Sequence, residues 1–514
     1  MKHARTPLRR KTLARIEKEN GQQRLKKTLG PLQLTMLGVG STIGAGIYVM
    51  TGTAAADYAG PSILLSFIVA GIACLFTALS YAELASVMPV SGSAYTYAYV
   101  SMGEGWAWAV GWLLLLEYGI SCAGVAAGFS GYAASLLEDL GVHVPAALHS
   151  TTLGVIYQGA NRHIVGNWQC DLLGAFSILV VTILLIVGVR ESFKINSLIV
   201  ALKVGVLAIF VALGVWELHP AYWTPFIPPY EGGFRYGVPG IFRAASVIFF
   251  AYVGFEAVST AAAEAKNPKR DVPVGIVLSL VICTVVYMVV AAVLIGVVPW
   301  QTLDVADPLA VAVNAMHQPW LALFVKIGAV IGLCSVLMGL LYAQSRIFFA
   351  MAEDGLLFPV FSRLHRRYHT PWIGSIVLGV VVALATAVLP IDIIGDLVSL
   401  GTATAFGIVC FTVIWMRNTA PAYKRAFVVP FGGFVIRGVW IGYVPLLGMV
   451  FCGFMVAPLC GDMVLALMGG DPVPALLLAA YTVCGWGCYR FYGNRHSRLG
   501  REQRAAAEAQ SLSH

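Results

Sequence analysis

Stretches of about 20 apolar residues recur along the whole chain, and the short segments between them carry nearly all the charge. Residues 62 to 88, 272 to 298 and 372 to 389 show this most clearly. An α-helix needs roughly 20 such residues to cross a hydrocarbon layer about 30 Å thick, and helices and closed barrels alone satisfy their backbone polar groups there. The pattern predicts about twelve helical spans, near residues 32–60, 62–88, 104–135, 171–188, 194–216, 241–265, 272–298, 320–350, 372–389, 393–416, 438–460 and 472–492. The expected fold is an all-α integral membrane protein.

Composition agrees. Of the 514 residues 59% are hydrophobic and 11% are charged, against roughly 25% charged in soluble domains. The net charge of +8 raises the question of nucleic acid, which its distribution answers. With the N-terminus placed inside, 28 of the 33 Lys and Arg residues fall on the inner side. Arg162, Arg235 and Arg243 fall outside, and Lys203 and Lys326 lie within spans. This is the positive-inside asymmetry of a multi-pass membrane protein, so both termini are expected in the cytoplasm of a cell with the chain in its (inner) membrane. A nucleic-acid partner loses its main support.

Residues 1–31 form a basic, polar segment without the short apolar core and small-residue cleavage site of a signal peptide, so the first span is expected to stay in the mature protein. Nine of the ten cysteines sit in or at the ends of spans, and no disulfide framework is implied. Cys484 and Cys488 share a helix face, but small packing residues explain them better than a metal site does.

Two spans contain stretches that a helix would not choose. The first reads Gly38-Val39-Gly40-Ser41-Thr42-Ile43-Gly44-Ala45-Gly46 at mid-membrane depth. Each glycine costs about 0.8 to 1 kcal/mol relative to alanine in a helix interior. The sixth reads Phe249-Phe250-Ala251-Tyr252-Val253-Gly254-Phe255-Glu256, where a glycine and a carboxylate interrupt an aromatic run. Breaks five spans apart suggest two five-helix repeats of opposite topology, residues 32–216 and 241–416, followed by two extra helices over 438–492 and a tail, 493–514. A broken helix survives in lipid only where it lines a cavity or binds something polar. The new N-terminus at Gly44 to Gly46 offers free amides and the positive end of a helix dipole to a carboxylate, and carbonyls before the breaks suit an ammonium. A zwitterionic amino acid presents both groups. Close helix packing through Gly40 and Gly44 is the alternative for the first break.

Gly38-Val39-Gly40 is no dinucleotide fingerprint, because position 43 is Ile43 and no strand precedes it. No phosphate loop, HExxH or nucleophile elbow is present, so an enzyme is not expected, nor is a cofactor or a metal. Energy must come from a gradient or from exchange.

Three stretches carry a family resemblance. Gly38 to Val49, Phe249 to Thr260 followed by Lys266-Asn267-Pro268-Lys269-Arg270-Asp271-Val272-Pro273, and Ala350 to Phe358 resemble the cationic amino acid transporter family of the amino acid, polyamine and organocation (APC) superfamily. The resemblance covers roughly residues 26 to 492 and implies the inverted five-plus-five fold with discontinuous helices one and six. Twelve spans, where animal members have fourteen, point to the bacterial branch. By resemblance, amides and hydroxyls of Ser41, Thr42, Gly44, Ala45 and Gly46 take a substrate carboxylate, and carbonyls of Ile43, Phe250, Ala251 and Val253 take its α-ammonium. Cys122, Phe250, Val253, Glu256 and Val336 are candidates to face the substrate side chain. Arginine-carrying relatives look as though they place a small serine where this chain has Val336, so neutral L-amino acids are expected to be preferred. Glu256 either contacts substrate or caps the second half of its broken span.

Two ionisable residues lie deep in spans. Glu117, deep in span three, is expected to face the bundle interior, protonated or paired, as a candidate for proton coupling. Lys203, in span five, has no charged neighbour nearby in sequence, and in related transporters a lysine stands where sodium-coupled members bind an ion. It is expected to bond carbonyls around Gly38 to Ser41, making transport sodium-independent and proton-coupled. Arg346, Arg363, Arg366 and Arg367, with Glu353 and Asp354, read as a solvated topology-setting loop rather than a gate. A secondary amino acid transporter is the leading reading. A cationic transporter or exchanger, and a membrane sensor that does not transport, are the alternatives.

Overall fold

The computed structural model describes residues 9–11, 29–88, 92–158, 161–188, 193–421, 423 and 425–512. Most of the basic segment 1–31, together with Arg190, Lys424 and residues 513–514 of the tail, lies outside the described residues. Among the described residues, eight helical stretches are long and apolar enough to cross a membrane: Gly46–Val87, Glu104–Asp139, Ile195–Glu217, Gly237–Thr260, Pro268–Val297, Pro319–Glu353, Ile391–Thr419 and Tyr443–Met468. Two shorter apolar helices, Leu172–Val187 and Trp372–Val388, pack against each other.

The helices are apolar on both faces, for two different reasons. In Pro268–Val297, Cys283, Tyr287 and Leu294 are buried, while Val281, Val285 and Val289, spaced one turn apart, form an exposed apolar stripe. In water such a stripe would be costly, and in a bilayer it faces lipid of its own polarity. Inside the bundle, Pro268–Val297 packs on Ile63–Val87 and on Pro31–Thr42, Pro319–Glu353 on Ser121–Asp139, and Ile391–Thr419 on Tyr443–Met468.

Several boundaries depart from the apolar pattern. Gly46–Val87 joins the end of one expected span to the next through Gly60, whose φ of +58° lets the chain turn ahead of Pro61. The stretch 438–460 does not begin as helix. Gly433–Ile436 and Val439–Gly442 pair as an antiparallel hairpin turning at Gly438 (φ +81°), and the helix starts at Tyr443. A second hairpin, Leu153–Gln158 with Asn161–Gly166, and the helices Ser93–Ser101, Pro308–Ala315 and Arg498–Leu512 lie between or after the expected spans.

Charges also moved. Arg243, counted above among outer charges, sits within the helix Gly237–Ile248 and is completely buried, because Asp396 and Asp462 on two neighbouring helices neutralise it. Lys326 reaches Asp139 at 2.6 Å. Asp354 is held by groups from the N-terminal part of the chain. Tyr95 donates to it at 2.8 Å and Lys11 lies 2.6 Å away, while Arg9 contacts Glu104 at 3.3 Å. Arg346 lies over the ring of Tyr342.

Candidate functional site

The first broken helix runs Pro31–Thr42, opens over residues 43–45 and resumes at Gly46. The helix stops because Ile43 turns to an extended backbone (ψ 96°), so the following amides lose the carbonyls four residues back. Among the described residues nothing accepts from the amides of Gly44 or Ala45. They are the orphan donors of a helix N-terminus, held at the centre of the protein. The second broken helix changes from Gly237–Ile248 to a tight turn over Phe249–Tyr252, opens at Val253 (ψ 128°) and resumes over Ala257–Thr260.

The two breaks lie against each other. A Cβ on Gly46 would stand 2.2 Å from the Ala251 Cα, and one on Gly254 would stand 2.6 Å from the Ser41 carbonyl carbon. Gly254 also holds φ +124°, open to glycine and few other residues. Tyr287 fastens the pair from the helix Pro268–Val297, its hydroxyl 2.7 Å from the Thr42 carbonyl and 2.9 Å from the Ala251 carbonyl. Lys203 approaches from Phe193–Gly214 with Nζ 3.0 Å from the Gly40 carbonyl and 3.3 Å from that of Ile43. The expected carbonyls spanned Gly38 to Ser41, and Ile43 lies beyond them. An ammonium among carbonyl dipoles needs no acidic partner, which is why none stands near it in sequence.

Glu256 is fully buried. Both of its oxygens accept from the Gly254 amide, at 3.1 and 2.9 Å, and Oε1 accepts from the Tyr118 hydroxyl at 3.0 Å. Its carboxyl therefore ties down the break's own backbone. Glu117, also fully buried, lies beside Glu256, and among the described residues neither of its oxygens has a regular hydrogen bond. The break thus carries two adjacent carboxyls shielded from water.

The structure changes several expected roles. The Ser41 hydroxyl donates to Leu37 at 2.9 Å and that of Thr42 to Gly38 at 2.7 Å, so each spends its hydrogen one turn back and leaves the backbone amides as donors. Of the four carbonyls assigned to an ammonium, that of Ile43 faces Lys203, that of Phe250 accepts from the Val253 amide at 3.1 Å, and that of Ala251 accepts from Tyr287. The Val253 carbonyl has no partner among the described residues. The Cys122 thiol donates to the Tyr118 carbonyl at 3.1 Å within its own helix. Val336 lies at the first break: a Cβ on Gly44 would stand 3.2 Å from its Cγ1. Phe250 packs beside Gly124, where a Cβ would stand 3.4 Å from its ring.

Tyr287 was missed because a tyrosine in an apolar helix looks like packing until its hydroxyl is seen to land on two carbonyls from different helices. Asp57, Asp304 and Asp392, whose carboxylate oxygens lie within 4.8 Å of one another, were missed because the three are far apart in sequence.

A bundle of apolar helices of membrane-crossing length, two of them broken where they face each other, is the architecture of a multi-pass membrane protein with a polar site between its helices. The comparisons give the family: the profile described as amino acid permease matches residues 29–483, and the chain belongs to that family. It is similar to the branched-chain amino acid permease BcaP of Bacillus subtilis (strain 168), 38% identical over 95% of this chain and 97% of that protein. It is 37% identical to the methylthioribose transporter of the same organism over 96% of this chain and 99% of the relative. A vacuolar cationic amino acid transporter 4 of Arabidopsis thaliana is 37% identical over 79% of this chain and 65% of its own greater length. The protein is a multi-pass membrane transporter of amino acids, similar to the cationic amino acid transporters and placed with them in the APC superfamily.

Proposed function

We propose that the protein is a sodium-independent, proton-coupled secondary transporter that moves small or neutral L-amino acids by alternating access. The observation that carries this is the pair of orphan amides at Gly44 and Ala45 beside Val336, in a break that packs against the segment bearing the orphan Val253 carbonyl. Amides bind the carboxylate and carbonyls bind the ammonium, which leaves the substrate side chain against Val336 and Phe250. An apolar wall there strips water from a guanidinium without offering a hydrogen bond, which disfavours arginine. The similarity to a branched-chain amino acid permease supports an aliphatic substrate. The methylthioribose relative, at nearly the same identity, means that identity alone does not choose one.

Lys203 occupies the carbonyls of the first break with a positive charge, which removes the need for a sodium ion, and Glu117 beside Glu256 offers a place for a proton. The same reading takes twelve spans in an inverted five-plus-five arrangement, 32–216 and 241–416, with two further helices, and places both termini in the cytoplasm of a cell whose inner membrane holds the protein. Uptake of labelled leucine or alanine into proteoliposomes tests it. Uptake is expected to rise with an inward proton gradient, to be unchanged when sodium is replaced by potassium or choline, and to be inhibited by neutral amino acids more than by arginine. A steep sodium requirement, or arginine competing better than alanine, overturns it.

A further inference from the structure

Arg243 is the largest fully buried side chain among the described residues, and the mechanism above gives it no role. Its Nη2 lies 2.8 and 3.0 Å from the two oxygens of Asp396 and 2.9 Å from Asp462 Oδ2, its Nε lies 3.2 Å from that same Asp462 oxygen, and its guanidinium sits 4.7 Å over the ring of Tyr58.

What matters is which bodies these residues belong to. Arg243 lies on Gly237–Ile248, which ends at the second break, and Tyr58 lies at the end of the half-helix that begins at the first break. These two hinged pieces are joined to each other. The Tyr236 amide donates to the Tyr58 carbonyl at 2.9 Å, the Tyr236 hydroxyl donates to that of Ala56 at 2.7 Å, and a Cβ on Gly240 would stand 2.1 Å from the Tyr58 oxygen. They therefore form one packed unit, a lid flanked by the two breaks. Asp396 and Asp462 sit on Ile391–Thr419 and Tyr443–Met468, two unbroken helices packed along each other. Arg243 thus bridges this lid and a pair of continuous helices.

We propose that Arg243 is a positioning residue of the transport cycle. Its bonds to Asp396 and Asp462 latch the lid over the substrate site on the outer side, and opening to that side breaks them. The proposal rests on the alternating-access reading and orientation given above. A buried arginine bonded to two carboxylates holds strongly while dry, and water entering the opened seam replaces those bonds. The latch thus sets the balance between closed and outward-open states without touching substrate.

Weakening it raises the population of the outward-open state, so binding from outside becomes tighter and binding from inside weaker, since apparent affinity scales with the competent fraction. The test is the KM for leucine measured separately from the two faces of oriented proteoliposomes. Arg243→Gln is expected to lower the outer KM about threefold, raise the inner KM and reduce the maximal rate about tenfold, with Arg243→Lys in between. Asp462→Asn, which keeps Asp396, is expected to shift both KM values the same way by less, and carries the test if Arg243→Gln fails to fold. A structural role alone would lower the rate through loss of folded protein and leave both KM values in place; that result in Asp462→Asn and in whichever Arg243 variants fold overturns the latch. Absence of uptake by the unmutated protein would refute the transport mechanism instead.

Discussion

The Lys203 ammonium lies 3.0 Å from the Gly40 carbonyl, on the last turn before the first break, and 3.3 Å from that of Ile43 within it. A cation held this way compensates carbonyls that the break leaves without amides, and does so from another helix, Phe193–Gly214. Lys203→Met keeps much of the volume and removes the charge. It is expected to abolish proton-driven uptake while the purified protein stays monodisperse, and unimpaired uptake by the variant would return Lys203 to a packing role.

Glu117 and Glu256 sit side by side with different bonds: Glu256 holds the Gly254 amide and the Tyr118 hydroxyl, while Glu117 holds no regular hydrogen bond. Glu117→Gln is therefore expected to flatten the dependence of uptake on pH while altering thermal stability little. Glu256→Gln should be worse for folding, because one of two oxygens facing the Gly254 amide is replaced by a donor, at a cost of about 1–3 kcal/mol. A Glu117→Gln profile with the slope of the unmutated protein would take Glu117 out of the proton route.

Val336 sits against Gly44, with a hypothetical Cβ on that glycine 3.2 Å from Cγ1. Gly44→Ala should therefore raise the KM for leucine, and adding Val336→Ala should recover part of the loss by freeing that space. Val336→Ser should improve competition by arginine relative to alanine. Competition assays on the three variants decide this, and an unchanged arginine-to-alanine ratio in Val336→Ser would remove the residue from selectivity.

Tyr287 joins the two breaks through one hydroxyl, 2.7 Å from Thr42 and 2.9 Å from Ala251. Tyr287→Phe keeps the ring and loses the bridge. A drop in stability of about 1 kcal/mol is expected, with a larger fractional loss of uptake than of folded protein, measured by thermal melting and flux on the same preparation. Loss of both in equal proportion would make the hydroxyl structural only.

The sequence by itself determined the membrane character, the long apolar helices in outline and the places where two of those helices fail. Each follows from local chemistry: the length of apolar runs, the cost of clustered glycines, and the exposure of backbone where lipid offers no partner. It also marked Lys203 and Glu117, since a charge deep in an apolar run is visible without any contact. Tertiary structure decided what each of these groups meets. The Ser41 and Thr42 hydroxyls turned back onto their own helix, Glu256 closed on Gly254, and Tyr287 and Arg243 acquired partners from helices far away in the chain. Hydropathy records whether a residue tolerates lipid or burial. It carries no information on which of many similar helices lies opposite, and that choice fixes the hydrogen bonds between helices at the site.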